Sequence, residues 1–215
     1  MQSFLDRERD LSWITFKSSE YNSESYLSLI DKLNSWKSES LNRFILDCET
    51  ENLGDLLSGY LSKCEESKIF FAFDKQSLRD KNPLGIVILE PQTDLYAESE
   101  FKKYIRECIK DKSMKKAGKL SLIKTIKALI KQTDSNNMNI DYLIINPNNE
   151  NKGVATRMIS SITKNAENFN NGEVNVLSAS VHKNNFASQH VFIKNNFAPL
   201  TSKDSDFLTD YYFVK

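Results

Sequence analysis

The chain has 215 residues, of which 40% are hydrophobic and 27% charged, values that fit one globular domain with a full core. Lys plus Arg and Asp plus Glu both number 29, so the net charge is zero and no overall field favours nucleic acid or an anionic membrane. No signal-peptide pattern opens the sequence, and no stretch approaches the roughly 18 apolar residues of a membrane span. We therefore expect a cytoplasmic protein.

The amino-terminal part of the chain predicts one strand followed by helices. The strand is expected at 13–17, and Asn22 or Ser23 is a candidate cap for a helix with apolar residues at spacings of four and three. A second short apolar face spans 41–48. The clearest amphipathic helix lies at 53–64, where apolar residues recur every three or four positions.

A hairpin and a helical insertion follow. Branched and aromatic runs at 69–73 and 84–89 predict two strands joined by the polar loop 74–83. Residues 98–132 return to a helical period, and the last strands and helices alternate. These are expected as a strand at 140–145, a helix at 154–169, a strand at 174–181, a helix at 186–195 and strands at 197–201 and 207–214.

Cysteines and histidines are too dispersed to suggest a disulfide framework or a metal site. Cys48, Cys64 and Cys108 are odd in number and far apart, as expected of reduced thiols. The two histidines, His182 and His190, have no clustered cysteine beside them, so no zinc site is expected.

Lysines crowd the second half of the predicted insertion. They are Lys115, Lys116, Lys119, Lys124, Lys127 and Lys131. Such a run is usually a solvated helix face, and the alternative is a docking surface for an acidic partner or an RNA acceptor. Retention on RNA at low salt that is lost when Lys124, Lys127 and Lys131 become Glu would support the alternative.

The segment 140–158 is the most informative part of the sequence. A buried strand ends at Asn146-Pro147, and a polar loop then leads into an amphipathic helix. The first turn of a helix has amides without intrahelical partners and carries partial positive charge. Gly153 lets the backbone approach a phosphate, the small Ala155 leaves the amides exposed, and Lys152 adds charge. The segment predicts a pyrophosphate site, although Lys-Gly before a helix is more often only a loop.

The same segment resembles the GNAT superfamily of N-acetyltransferases, in which a strand ending V-x-P precedes the loop Q/R-x-x-G-x-G/A around the pyrophosphate of coenzyme A. Ile145-Asn146-Pro147 matches the strand end, and residues 150–155 match the loop. Glu150 replaces the usual Gln or Arg, and we expect it to point outward because the family's phosphate contacts are mostly backbone amides. The implied cofactor-binding residues are Ile144, Ile145, Glu150, Asn151, Lys152, Gly153, Val154, Ala155 and Thr156.

A second segment, 185–197, resembles the family's other signature, N-x-x-S/A-x-x-v-y/f-x-K-x-G-F. The matching positions are Asn185, Ser188, Val191, Phe192, Lys194 and Phe197. The resemblance implies that Asn185, Ser188 and Phe192 flank the pantetheine arm. Phe192 lacks the hydroxyl with which a family tyrosine protonates the leaving thiolate. Asn196 replaces a glycine, and Asn is the residue that next best tolerates a left-handed helix end.

Acyl transfer to an amine requires a polarised thioester carbonyl and a proton acceptor. A backbone N–H near Ile144 or Ile145 is the expected donor to the carbonyl, because family members splay two strands at this point. Asp141 and His182 are the candidate catalytic residues, and Glu90 is a further candidate base. The alternative for each is an ordinary surface side chain. Tyr211 and Tyr212 could line the acceptor cleft, although tyrosines on a closing strand more often pack.

Together these patterns predict one domain, 1–215, with an α/β (α+β) GNAT fold. Its mixed central sheet of about seven strands is flanked by helices, with a helical insertion at about 97–133 before the fourth strand. The predicted function is transfer of an acetyl group from acetyl-CoA to an amine of a small molecule, peptide or protein. The alternatives are a coenzyme A-binding module without turnover and an enzyme acting on an RNA-linked amine. We expect no metal and no membrane partner, and a homodimer is possible.

Overall fold

The computed structural model describes most of the chain, in two compact units. The described residues are 1–16, 20, 23–38, 41–42, 45, 50–63, 67–92, 102–103, 105–106, 110, 116–131, 137–170, 174–200 and 207–214. Unit 1 comprises Met1–Glu90 and Asp141–Ser161, and unit 2 comprises Pro91–Ile140 and Ile162–Lys215. Each unit is therefore built from two separate stretches of sequence, and the expectation of a single domain stays a prediction.

Unit 1 contains an antiparallel run of strands. The strands of this run are β1 (Gln2–Asp6), β2 (Leu11–Thr15), β3 (Lys68–Phe73) and β4 (Gly85–Pro91). The Asp141–Ile145 end of β5 (Asn137–Ile145) also belongs to unit 1. The strands of the run pair in the order β1-β2-β3-β4, with Phe4 opposite Trp13 and Phe71 opposite Ile86. β3 and β4 are apolar at nearly every position and buried on both faces, as strands covered on both sides must be.

Helices cover the sheet of unit 1. They are α1 (Glu24–Asn34), α2 (Leu53–Lys63), α3 (Lys75–Arg79) and the start of α5 (Val154–Lys164). Ser23 caps α1 by accepting the Tyr26 amide, as expected from the sequence. The apolar faces of α1 and α2 join β3, β4 and Ile144 in one hydrophobic cluster. This cluster is the core of unit 1.

Unit 2 closes with an antiparallel strand pair. Its strands are the start of β5, β6 (Val176–His182), β7 (Ala198–Leu200) and β8 (Leu208–Val214), and its helices are α4 (Lys116–Lys131), α6 (Ala166–Asn170) and α7 (Phe186–Lys194). β5 pairs in parallel with β6 from Asn137↔Val176 to Asn139↔Ser178, and β6 pairs with β8 along its whole length. Helix α4 packs Leu122, Ile126 and Leu129 into a cluster with Val176, Leu200 and Tyr212.

The predicted fold class, helices beside a mixed sheet, is confirmed, with four differences of detail. The described residues contain eight strands rather than about seven, because β1 is a mostly exposed strand without an apolar pattern. The helical insertion therefore precedes the fifth strand. The helix expected at 154–169 is interrupted between Lys164 and Ala166, and the polar loop 74–83 contains the short helix α3.

Several predictions fall on residues outside this description. Cys48, Cys64 and Cys108 are among them, as are Lys115 and the side chains of Lys116, Lys119 and Lys131. The remaining lysines of α4, Lys124 and Lys127, are both exposed. Across the described part of the chain, no helix combines the length and apolar character that crossing a membrane requires.

Candidate functional site

Asn146 joins the end of β5 to the loop that follows it. Its side chain is buried, and its Nδ2 donates to the Pro83 carbonyl at 3.1 Å and to Asn82 Oδ1 at 3.2 Å. Its Oδ1 accepts the Asn148 amide at 3.0 Å, which caps the 3-10 turn Pro147–Asn149. One amide side chain therefore fixes where the strand ends and how the loop begins, a role that the sequence motif did not reveal.

The loop then turns through two left-handed residues before α5 begins. Asn151 has φ 60° and Gly153 has φ 73°, and both are exposed, as are Glu150 and Lys152. A Cβ added to Gly153 would meet no atom within 4 Å. The amides of the first turn of α5, from Val154 onward, follow directly. The loop is therefore an open turn leading into a helix amino terminus, the arrangement that suits an anion.

Packing below the loop holds α5 in place. Met158 and Ile159 are fully buried, and a Cβ at Gly85 would lie 2.8 Å from both the Met158 sulfur and the Ile144 carbonyl oxygen. Glycine is therefore needed at position 85 for the close approach of β4, β5 and α5.

Polar contacts from the β1–β2 hairpin reach the same helix. Arg9 Nε donates to Ser160 Oγ at 2.9 Å, and the Trp13 indole N–H donates to the buried Ser161 hydroxyl at 3.0 Å. These contacts link the first two strands to α5, which sequence patterns could not have indicated because the partners are about 150 residues apart.

Charges around the loop are of both signs. The Lys152 ammonium donates to the Asn148 carbonyl at 2.7 Å, so this side chain folds back over its own loop. Burial acts to raise the pKa of Asp74, but hydrogen bonds from Ser77 and the positive charge of Arg157 outweigh it and hold the pKa below its ordinary value. Asp74 therefore stays ionised beside Arg157 at neutral pH.

In unit 2, Asn185 acts as the cap of α7. Its Oδ1 accepts the Ser188 amide at 3.1 Å, so both signature residues are used in starting the helix. Phe192 is 3% exposed and packs against Phe197 and Tyr211 with ring centroids 5.1 and 5.7 Å away. These contacts make Phe192 a core residue of unit 2, and its expected contact with a cofactor stays a prediction. Asn196 has φ 65°, which confirms the left-handed helix end.

The two candidate catalytic residues lie in different units. Asp141 is half-buried on β5 in unit 1, and His182 is exposed at the end of β6 in unit 2. His182 Nδ1 accepts the Asn184 amide at 3.1 Å, so the proton of the neutral ring lies on Nε2. In this tautomer Nε2 can donate a proton. Nε2 can accept a proton only in the other tautomer, in which Nδ1 carries the ring proton and the hydrogen bond from the Asn184 amide is broken.

The remaining candidates, Glu90, Tyr211 and Tyr212, are held by hydrogen bonding or packing within their own unit. Glu90 accepts the Ser67 hydroxyl at 3.0 Å. Tyr211 and Tyr212 are both buried on β8, and burial raises the pKa of the Tyr211 phenol. Tyr211 contacts Phe192, whereas Tyr212 belongs to the cluster under α4, so successive tyrosines face opposite sides of the sheet.

Several solved structures share this fold. An N-acetyltransferase, PseH, from Campylobacter jejuni aligns with a TM-score of 0.50 and 16% identity over 96% of this chain and 99% of its own. A GNAT family acetyltransferase from Bacillus anthracis aligns with a TM-score of 0.51 and 12% identity over 99% and 96%. A chain of the NatC complex bound to Gag peptide and CoA aligns with a TM-score of 0.50 and 9% identity over 96% and 99%. The fold is therefore one that acetyltransferases use.

The sequence provides the family. Residues 92–198 match a family model described as an acetyltransferase (GNAT) domain, a span that covers the second motif and all of the loop before α5. No curated protein sequence matches the chain. Fold and sequence match define the class as an acyl-CoA-dependent N-acetyltransferase. The chain belongs to the GNAT superfamily, as its two motifs implied.

Proposed function

We propose that the protein transfers the acetyl group of acetyl-CoA to an amine of a small molecule or peptide, and that the loop 150–156 binds the donor's pyrophosphate. The observation that carries this proposal is the open turn at Asn151 and Gly153 before α5. Both residues are exposed and left-handed, and the space beside the Gly153 backbone is empty. A phosphate can approach such a backbone closely, because no side chain stands at position 153.

Binding there would rest mainly on backbone groups. The amides at the start of α5 have no intrahelical partners, and the helix dipole favours negative charge at this end. Lys152 adds a mobile positive charge when its ammonium leaves the Asn148 carbonyl. Glu150 opposes this charge, but it is exposed, and water weakens its repulsion.

The reaction forms a C–N bond and breaks a C–S bond. The neutral amine attacks the thioester carbonyl carbon, the coenzyme A thiolate leaves, and the nitrogen loses a proton. We assign the proton acceptor to Asp141, with His182 as the second candidate, because His182 Nδ1 already accepts the Asn184 amide. Two results together would support this assignment: the wild type loses activity at low pH, and Asp141→Asn is inactive at every pH.

Tyr211 is our candidate for protonating the leaving thiolate. Phe192 has no hydroxyl, and the Tyr211 ring stacks on it with centroids 5.7 Å apart. Burial raises the pKa of Tyr211, so the phenol keeps its proton at neutral pH. Tyr211→Phe keeps the ring packing and removes only the hydroxyl. It should lower kcat by about 10–100-fold while leaving the Kd of acetyl-CoA unchanged.

The first experiment is a calorimetric titration with acetyl-CoA. The wild type should bind it, and Gly153→Asp should abolish binding by placing a carboxylate and a strained left-handed backbone at the phosphate position. Gly59→Asp is the matched control, since Gly59 also has no atom within 4 Å of an added Cβ but lies on α2. Circular dichroism should show both variants folded.

The outcomes separate clearly. Binding that is lost in Gly153→Asp and kept in Gly59→Asp supports the loop as the donor site and justifies a screen of amine acceptors. A wild type that does not bind acetyl-CoA would contradict the proposal, and equal binding in all three proteins would place the donor elsewhere.

A further inference from the structure

A chain of side-chain hydrogen bonds within unit 1 leads from the end of α1 to the start of the proposed donor loop, 150–156. Its first member is Trp36, which lies just beyond α1 and whose indole N–H donates to Asn82 Oδ1 at 3.2 Å. The same oxygen accepts Asn146 Nδ2 at 3.2 Å, and Asn146 Oδ1 accepts the Asn148 amide at 3.0 Å. Asn82, in the loop between α3 and β4, therefore links two segments that are distant in the sequence.

The direction of every bond in this chain is fixed by its two ends. An indole N–H can only donate, so Asn82 must turn its oxygen, and not its amide nitrogen, toward Trp36. At the other end, the Asn148 N–H can only donate and the Pro83 carbonyl can only accept, so Asn146 must present Oδ1 to the first and Nδ2 to the second. Asn82 Oδ1 thus receives two donors, and turning the Asn82 amide over would break both bonds at once.

The two groups that donate to Asn82 are buried. Trp36 is 5% exposed and Asn146 is 1% exposed, whereas Asn82 is half-buried. A buried donor that loses its acceptor is costly, because water does not replace the lost bond. The backbone holds Asn82 in place, since its amide donates to the Ser77 carbonyl at 2.9 Å and the preceding residue, Lys81, has φ 49°. The acceptor oxygen is therefore carried by a turn that forms independently of the two donors.

Asn146 passes this order on to the backbone that follows it. Its carbonyl accepts the Asn149 amide at 2.7 Å, and the Asn149 carbonyl accepts the Lys152 amide at 3.4 Å. The left-handed residues Asn151 and Gly153 lie on either side of Lys152. Because the turn starts on Asn146, a change in the orientation of its side chain would move the backbone that the proposed donor site uses.

We propose that Asn82 is a positioning residue for donor binding, and that it transmits the state of the donor loop to the indole of Trp36. This inference rests on the proposed N-acetyltransferase function, in which that loop binds acetyl-CoA. Asn82 acts through Asn146 and does not itself contact the donor. Its role is to hold the acceptor oxygen that keeps the Asn146 amide in the one orientation that starts the loop.

Amide hydrogen exchange followed by NMR tests the positioning role without any ligand. Asn82→Ala removes the acceptor of both bonds, and the Asn148 amide should exchange about three- to tenfold faster, as expected when one hydrogen bond that orders it is lost. Asn82→Asp keeps an oxygen at the same place and should restore the wild-type exchange rate. This rescue is expected because, within the described part of the chain, the Asn82 side chain only accepts hydrogen bonds.

Asn42→Ala is the matched control. Asn42 and Trp36 line the same cavity, of about 480 Å³, at the end of α1. The Asn42 side chain is exposed and makes no hydrogen bond to the residues that the structure describes. The same change of Asn to Ala beside the same cavity should therefore leave the exchange of the Asn148 amide as it is in the wild type.

The second measurement follows the Trp36 indole N–H during a titration with acetyl-CoA. The chain has only two tryptophans, so a nitrogen–proton correlation spectrum contains two indole signals, and Trp36→Phe identifies the one from Trp36. In the wild type this signal should shift in a saturable way, with the Kd that calorimetry gives. In Asn82→Ala the Kd should rise about three- to tenfold and the Trp36 signal should no longer respond, whereas Asn82→Asp should keep the response.

The results separate this inference from the proposed function. Equal Asn148 exchange in the wild type and Asn82→Ala overturns the positioning role, as does equal acceleration in Asn42→Ala. Acetyl-CoA that binds without shifting the Trp36 signal, or with the same Kd in Asn82→Ala, also overturns it. A wild type that binds no acetyl-CoA overturns the proposed function instead, while the exchange rates still decide whether Asn82 holds the loop.

Discussion

Replacing Gly85 with Ala should destabilise the protein, although the change adds one methyl group. The new Cβ would lie 2.8 Å from the Ile144 carbonyl oxygen, 2.8 Å from the Met158 sulfur and 3.1 Å from Ile145 Cδ1. Non-bonded carbon atoms normally sit about 3.5–4.0 Å apart, so at least one neighbour must move. The Ile144 oxygen belongs to the backbone of β5 and cannot turn away as a flexible side chain would.

The magnitude follows from two opposing terms. Over-packing a well-filled interior costs about 1–3 kcal/mol. Replacing a glycine gains about 0.4–1 kcal/mol by restricting the unfolded chain. The mid-range values of the two terms, about 2 and about 0.7 kcal/mol, leave a net loss of about 1.3 kcal/mol. Gly59→Ala is the matched control: its Cβ would meet nothing within 4 Å, and alanine in a helix interior is favoured by about 0.5–1 kcal/mol.

Urea unfolding followed by circular dichroism measures both variants. With a slope of about 2 kcal/mol/M, the two midpoints should separate by about 0.5–1.5 M, with Gly59→Ala above the wild type and Gly85→Ala below it. Because the strained contacts involve the strand and helix on either side of the donor loop, Gly85→Ala should also weaken acetyl-CoA binding. Equal midpoints for the two variants would refute the close approach of β4, β5 and α5.

Three further changes test the loop and its surroundings. Asn146→Ala should lower the free energy of unfolding by about 1–3 kcal/mol, because the Pro83 carbonyl loses a buried donor, and calorimetry should show weaker acetyl-CoA binding. Asp74→Asn should be less stable than the wild type at pH 7. This difference should persist down to about pH 3.9, the ordinary pKa of the unfolded chain, and be lost as the pH falls further through the lower pKa of the folded state, since a carboxyl whose pKa the fold holds low stabilises only while ionised; urea midpoints at pH 7 and at successively lower pH would show this. Asn196→Gly should raise the free energy of unfolding by less than about 1 kcal/mol, because glycine adopts the left-handed φ of 65° without strain. A slightly higher melting temperature would show this.

Local patterns in the sequence were sufficient for most helices and strands. The branched and aromatic runs became β3 and β4, and the amphipathic pattern near residue 53 became α2. β1 was missed because exposed edge strands carry no alternation, and α3 was missed because its start depends on one capping residue, Asp74, in a polar loop. Periodicity reports burial, and these two elements bury little.

The sequence by itself determined the family and the expected position of the donor loop, because a phosphate-binding turn requires particular residues at fixed spacing in one continuous segment. The tertiary structure decided what supports that loop and what lies across the sheet. Asn146 reaches Pro83, Gly85 admits Ile144 and Met158, and Asp210 lies opposite Ser180. The residues of each pair are far apart in the chain, and the patterns of a single sequence relate only residues that are close together in the chain. Only the strand register and the packing of α5 bring them together.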